Sequence, residues 1–142
     1  MPETGPDFSL IIADNEAAAG RAFETGNFVH AYLLVHALVE SLLRAFLGNQ
    51  LEAANFCTLV DGYKRWLQQE KYPYPTFANE LVEFNRRRNR IVHQLWRKGF
   101  SFTNRQAEPA ARAAVVMYGL LIEWLADFQP EIVQLGFEYD NM

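Results

Sequence analysis

FVHAYLLVHALVESLLRAFL, residues Phe28 to Leu47, is the longest apolar stretch in the chain. Its reading decides the fold. His30, His36, Glu40 and Arg44 interrupt it, which makes it too polar for a membrane span and suits it to a buried helix of a bundle. The predicted helix runs from about Asn27 to Leu47, and Gly48–Asn49 ends it. Upstream, a helix is predicted over Pro6–Glu24, closed by Thr25–Gly26–Asn27, where Gly or Asn takes the left-handed cap conformation. Downstream, a third helix lies between Leu51 and Glu70, weakened in its middle by Gly62. Lys71–Tyr72–Pro73–Tyr74–Pro75 reads as a loop, because each proline disfavours helix in the residue before it. Thr76 is the expected N-cap of a fourth helix that reaches Lys98 and stops at Gly99. The fifth spans about Asn104 to Phe128, with Pro109 placing the start of regular helix close to Glu108, and a short terminal helix follows from Glu131.

No run of alternating β-branched residues marks a strand, whereas the 3.6-residue period recurs. Short connections between long amphipathic helices favour antiparallel neighbours, so the expected fold is all-α, an up-and-down bundle of four to five helices. At 142 residues the chain is expected to be one domain, residues 1–142. Ala110, Ala111, Ala113 and Ala114 leave room for a neighbour close to the fifth helix.

Composition excludes several classes. Half the residues are apolar and 14% aromatic, which is globular rather than disordered. The single cysteine, Cys57, makes no internal disulfide, and no Cys/His cluster has metal spacing, so neither a metal nor a cofactor is expected. The first residues, Met1 to Asp7, lack a cationic start and an apolar run, so no secretory signal is read and the expected compartment is cytoplasmic. The net charge of −4 argues against general nucleic-acid binding, and no DNA sequence recognition is expected. The charge is unevenly placed, however. Arg86, Arg87, Arg88, Arg90, Arg97, Lys98 and Arg105 fall in a segment without a single Asp or Glu, which is either a solvated basic face or a local phosphate site.

On a helical wheel of about 100° per residue, Phe77, Leu81, Phe84, Val92 and Leu95 share one arc of the fourth helix. Arg88 falls inside that arc, with Asn85 close by. Asn89 and His93 sit one turn apart at its edge, and Arg86 lies two turns below His93 on the same edge. A core-facing arginine needs a partner or a cavity, because an uncompensated buried charge costs several kcal/mol. Glu40 is the candidate carboxylate. Two blander alternatives stand beside this: Arg88 extends its head to solvent, and His36–Glu40–Arg44 forms a solvated stripe at four-residue spacing.

Arg88–Asn89–Arg90–Ile91–Val92–His93 resembles the signature of the HEPN superfamily, an arginine separated from a histidine by four to six residues late on a long helix. Val39–Glu40–Ser41–Leu42–Leu43–Arg44 is similar to the glutamate-bearing second helix of several HEPN groups. The resemblance covers most of the chain in architecture and about six residues in motif. It implies a HEPN-like bundle and a metal-independent endoribonuclease whose two motifs meet across a homodimer. The products would carry a 2′,3′-cyclic phosphate and a 5′-hydroxyl. His93 would move protons near neutral pH, Arg88 would bind the scissile phosphate, and Asn89 would hold the histidine or the phosphate. Glu40 would support Arg88, while Arg86, Arg87, Arg90, Arg97 and Lys98 would bind RNA. Arg86 and Arg87 also satisfy the motif's spacing to His93; Arg88 is preferred because Asn89 follows it and because it alone points inward. A toxin or phage-defence role with an antitoxin protein partner fits the resemblance, and no membrane partner is expected. In one antitoxin-paired group the partner modifies a tyrosine two residues after the histidine; here that position is Leu95, so this regulation is not carried over. The alternative is a non-catalytic HEPN-like module binding a nucleotide or a protein.

Other candidates are weaker. His30 and His36, six apart on one helix, lie about 240° apart and share no metal unaided. Cys57 follows Phe56 in an apolar context and is expected to be a buried inert thiol. Tyr63, Trp66, Tyr72 and Tyr74 either seal a bundle end or offer stacking faces for bases. No Gly-rich phosphate loop, catalytic carboxylate pair or Ser-based triad is present.

Overall fold

Helix ends are set locally, and most fall where capping chemistry puts them. The computed structural model describes residues 7–48, 54–138 and 142, with helices α1 (Phe8–Glu24), α2 (Phe28–Leu47), α3 (Phe56–Gln69), α4 (Ala78–Lys98), α5 (Phe100–Ala126) and α6 (Glu131–Gln134), and no strand among the described residues. The expected starts at Pro6 and Leu51, and Asn49 of the expected α2 stop, lie outside the described residues. Asp7, Asn27 and Asn55 cap α1, α2 and α3 by accepting hydrogen bonds from the amides of Ser9, His30 and Thr58.

Two ends differ from expectation. Thr76 does not cap α4; Phe77 does, at φ 65° and without a side-chain hydrogen bond. The carbonyl of Thr76 instead accepts from the Tyr63 hydroxyl at 2.7 Å, and the Phe77 ring packs 6.5 Å from that of Trp124. Aromatic packing at this end of the bundle overrides the capping preference. Likewise α5 begins at Phe100, well before Asn104, because Gly99 turns the chain in a single residue at φ 82°, ψ 173°. The Thr103 hydroxyl then donates to the Gly99 carbonyl at 2.7 Å. Pro109 sits inside α5 and forgoes only the hydrogen bond to the carbonyl of Arg105.

Ten residues of α2 are buried, including Tyr32, Val35, Leu38, Val39, Leu42 and Leu43, so this helix is the spine of the core. By length and composition α2 and α5 are both apolar enough to cross a membrane; in the bundle, half of the most apolar window of α2 is buried and a third of that of α5. Helix directions follow from the contacts. The His36 ring stacks on Phe56 at 4.4 Å and Phe46 meets Trp66 at 4.8 Å, so α2 and α3 point the same way. The Asn104 side chain accepts from the Val29 amide and donates to the Gly26 carbonyl, while Gln129 donates to the Phe46 carbonyl, so α5 also runs parallel to α2. α1 and α4 oppose these three: Phe23 at the end of α1 meets Phe28 at the start of α2, and Phe77 at the start of α4 meets Trp124 near the end of α5. The strict up-and-down alternation is therefore broken between α2 and α3. Eight residues separate α2 from α3, as eight separate α3 from α4, and a connection of that length leaves either direction open to the helices it joins.

The chain folds back on α1 at its far end. Glu16 is fully buried, accepting from the Tyr118 hydroxyl at 2.5 Å and from the Glu138 amide at 3.1 Å. Burial, and then this hydrogen bond, push the Tyr118 phenol above its ordinary range.

Candidate functional site

The first turns of α4 bury Ala78, Leu81 and Phe84, and one turn later the carbonyl of Phe84 accepts the Tyr32 hydroxyl at 2.6 Å. Beyond that bond α4 loses its cover. Ile91 is the last buried residue, and Val92, His93, Trp96, Arg97 and Lys98 are all exposed, Trp96 at 73%. With Gly99 and the start of α5 they form the basic tip of a helical hairpin.

The wheel placed Arg88 in the core; the structure places it in solvent. Ile91, not Val92, continues the buried stripe, because past Phe84 the packing of α4 is against Thr103 and Ala107 of α5 rather than against α2. Arg88 donates to the Asn89 side chain at 3.0 Å and meets no carboxylate among the described residues. Glu40 does not support it. Its carboxylate pairs with Arg44 at 2.9 Å, and Arg44 also donates to the carbonyl of Ala54. The inward orientation that singled out Arg88 over Arg86 and Arg87 is thus absent, and its bond to Asn89 is what still distinguishes it.

Arg88 lies about 140° around the helix from His93. Asn89, Arg90 and Arg97 are instead the helical neighbours of His93, at three- and four-residue spacings on one exposed stripe. The His93 imidazole lies 5.4 Å from the Trp96 indole. Arg86 and Arg87 share Glu83, at 3.2 and 3.4 Å, so that part of the stripe is partly neutralised. Lys98 sits over the Phe102 ring at 5.2 Å.

Among the described residues, one cleft lies on either side of the middle of α4. On the α3 side, about 270 Å³ lies between Cys57, Asp61, Asn85, Arg86 and Asn89. On the α5 side, about 380 Å³ is lined by Arg87, Arg90, Gln94, Gln106 and a row of alanines. The first cleft holds an arrangement the sequence did not show. His36 is buried between the rings of Phe56 and Phe84, and its Nε2 is 3.0 Å from the Asn85 Oδ1. The Asn85 amide in turn donates to the Cys57 sulfur at 3.5 Å. Burial holds the imidazole below its ordinary pKa, reinforced by the Arg88 charge and opposed by the Asn85 bond and Glu40. Cys57 is exposed rather than buried, because it lies in the first turn of α3, facing the cleft.

Of the remaining candidates, His30 is exposed at the start of α2. Tyr63, Trp66 and Tyr72 seal the bundle end with Trp124 and Phe128, and the Trp124 indole donates to the Tyr63 hydroxyl at 2.9 Å. Desolvation pushes the Tyr63 phenol up to about 12. Tyr74 alone of this set projects into solvent. Comparisons with models of known protein families, with curated proteins and with solved structures find no match.

Proposed function

We propose that the chain is a metal-independent endoribonuclease with a HEPN-like bundle, active as a homodimer. A toxin or defence role in the cytoplasm, controlled by an antitoxin protein, goes with that reading. The observation that carries it is the exposed stripe of Asn89, Arg90, His93 and Arg97 on a segment without acids from Arg86 to Arg105. In the proposed reaction the 2′-oxygen of the RNA loses its proton and attacks the adjacent phosphorus, and the 5′-oxygen leaves with a proton. One histidine accepts and the other donates, which is why two copies are needed. Arginines neutralise charge on the phosphoryl oxygens, Arg88 reaching a phosphate beside the partner copy's motif. Exposed Val92, Trp96 and Phe100 beside His93 are the apolar surface on which such a partner would close.

An RNA-cleavage assay of wild type beside His93→Ala, with EDTA present, tests the reading. The substitution should slow cleavage by about 10²–10⁴-fold with the helical circular dichroism unchanged, since the imidazole is exposed. Light scattering at micromolar concentration should give twice 16.4 kDa. Equal cleavage by both proteins, or by neither, overturns the ribonuclease. The second reading, a binding module without catalysis, draws on the separation of Arg88 from His93 within one chain, and it stands if RNA binds uncut.

A further inference from the structure

The cleft between α4 and α5 has a composition that packing alone does not account for. Ile91, Thr103 and Ala107 are its buried base, and Ala110 and Ala113 leave a furrow where larger residues would close the two helices together. Its rim is polar. Arg90, Gln94 and Gln106 line it, and their side chains make no hydrogen bond or ion pair among the described residues. Arg87, at the same rim, meets Glu83 at 3.4 Å. The furrow also borders the catalytic stripe, since Arg90 and Gln94 stand three residues before and one after His93 on the same helix.

We propose that this furrow is a subsite for one nucleotide of single-stranded RNA, next to the phosphate that His93 acts on. The inference rests on the ribonuclease reading for its substrate and adds where the strand lies. A mostly apolar base of small side chains beside Ile91 suits the face of a nucleobase. A carboxamide offers a donor and an acceptor side by side, the complement of a base edge, so Gln94 and Gln106 discriminate between bases. Arg87 and Arg90, three residues apart, lie close enough on one face to hold the phosphates that flank that base. Duplex RNA is not the expected ligand, because its bases are paired and stacked and present no free face.

Binding is measured apart from cleavage, with the otherwise intact His93→Ala chain and end-labelled oligo(A), oligo(U) and oligo(C) RNAs of about ten nucleotides. Ala113→Leu, at an exposed position, fills the furrow and should weaken binding by about tenfold. Gln106→Leu, also exposed, should bring the three oligomers closer to one affinity. Arg90→Ala should weaken all three alike and lower the salt slope by about one. If Ala113→Leu and Gln106→Leu, both folded by circular dichroism, bind as the parent does, the furrow is not the subsite even where wild type cleaves RNA. If Ala113→Leu changes the oligomeric state and spares RNA affinity, the furrow is a surface between copies and the proposal falls. Lost binding in these variants beside a wild type that never cleaves keeps the subsite and removes the ribonuclease. A parent that binds no RNA removes both.

Discussion

The two halves of α4 share one helix but not one environment. From Ala78 to Phe84 the side chains meet α2, α3 and α5, and Leu81 has no exposure at all. From Val92 to Lys98 nothing is buried, and the apolar residues Val92 and Trp96 stand in solvent beside two cations and a histidine. The first half is held by its surroundings. The second is held by its own backbone bonds, by the Gly99 turn and by one strip of α5. In this bundle buried packing and exposed charge are therefore allotted to different turns of the same helix, and substitutions in the tip are expected to cost little folding stability.

Leu81→Ala gives the largest expected contrast. Truncating a fully buried leucine costs about 2–5 kcal/mol, whereas Trp96→Ala, a larger truncation in the tip, should change monomer stability by less than about 0.5 kcal/mol. Urea unfolding of the two variants decides it; comparable losses would mean that the tip is packed after all. Next comes Gly99→Ala. No atom lies within 4 Å of an added Cβ, so the cost is backbone strain alone, about 1–3 kcal/mol at this φ and ψ. Hydrogen exchange should localise the loosening to the hairpin, and a uniform loss of protection would contradict the division of α4.

A gentler perturbation is pH. The folded-state pKa of His36 is depressed below its unfolded value of 6.5, so the unfolded chain binds the proton more readily. The contribution of His36 is whole above that value and is lost as pH falls below it toward the folded pKa. The charged groups nearest the ring act in opposite senses: Arg88 favours the neutral form and Glu40 the charged one. Melting temperature should therefore drop on the acid side of neutrality, and His36→Phe should flatten that part of the curve. A variant with the same acid profile would assign the effect to carboxylates elsewhere.

Much of the fold was legible because helix ends are local. Asn27 and Gly48 announce α2 within a few residues of its true limits. What was not legible depends on partners distant in sequence. The wheel for α4 assumed one straight apolar arc with cover along its whole length. In the structure that cover changes from α2 to α5 near Phe84, which shifts the buried position from Val92 to Ile91 and turns Arg88 outward. Glu40 illustrates the same limit, since its four-residue spacing to Arg44 was the simpler reading and is the one realised. The pairing of His36 with Asn85 joins residues 49 apart, and no spacing rule reaches that far. Asn89 and His93 do lie one turn apart, because that relation is internal to a single helix, but both are exposed rather than at the edge of a buried arc.

The distribution of the three tryptophans gives this protein an optical property of its own. Trp66 and Trp124 sit in the aromatic seal at the bundle end, where their emission follows the folded state. Trp96 stands alone on the tip, open to aqueous quenchers and 5.4 Å from the His93 ring. The iodide-sensitive part of the emission therefore reports, in the unlabelled chain, whatever covers the tip when RNA or a second copy is added, while the protected part reports the fold.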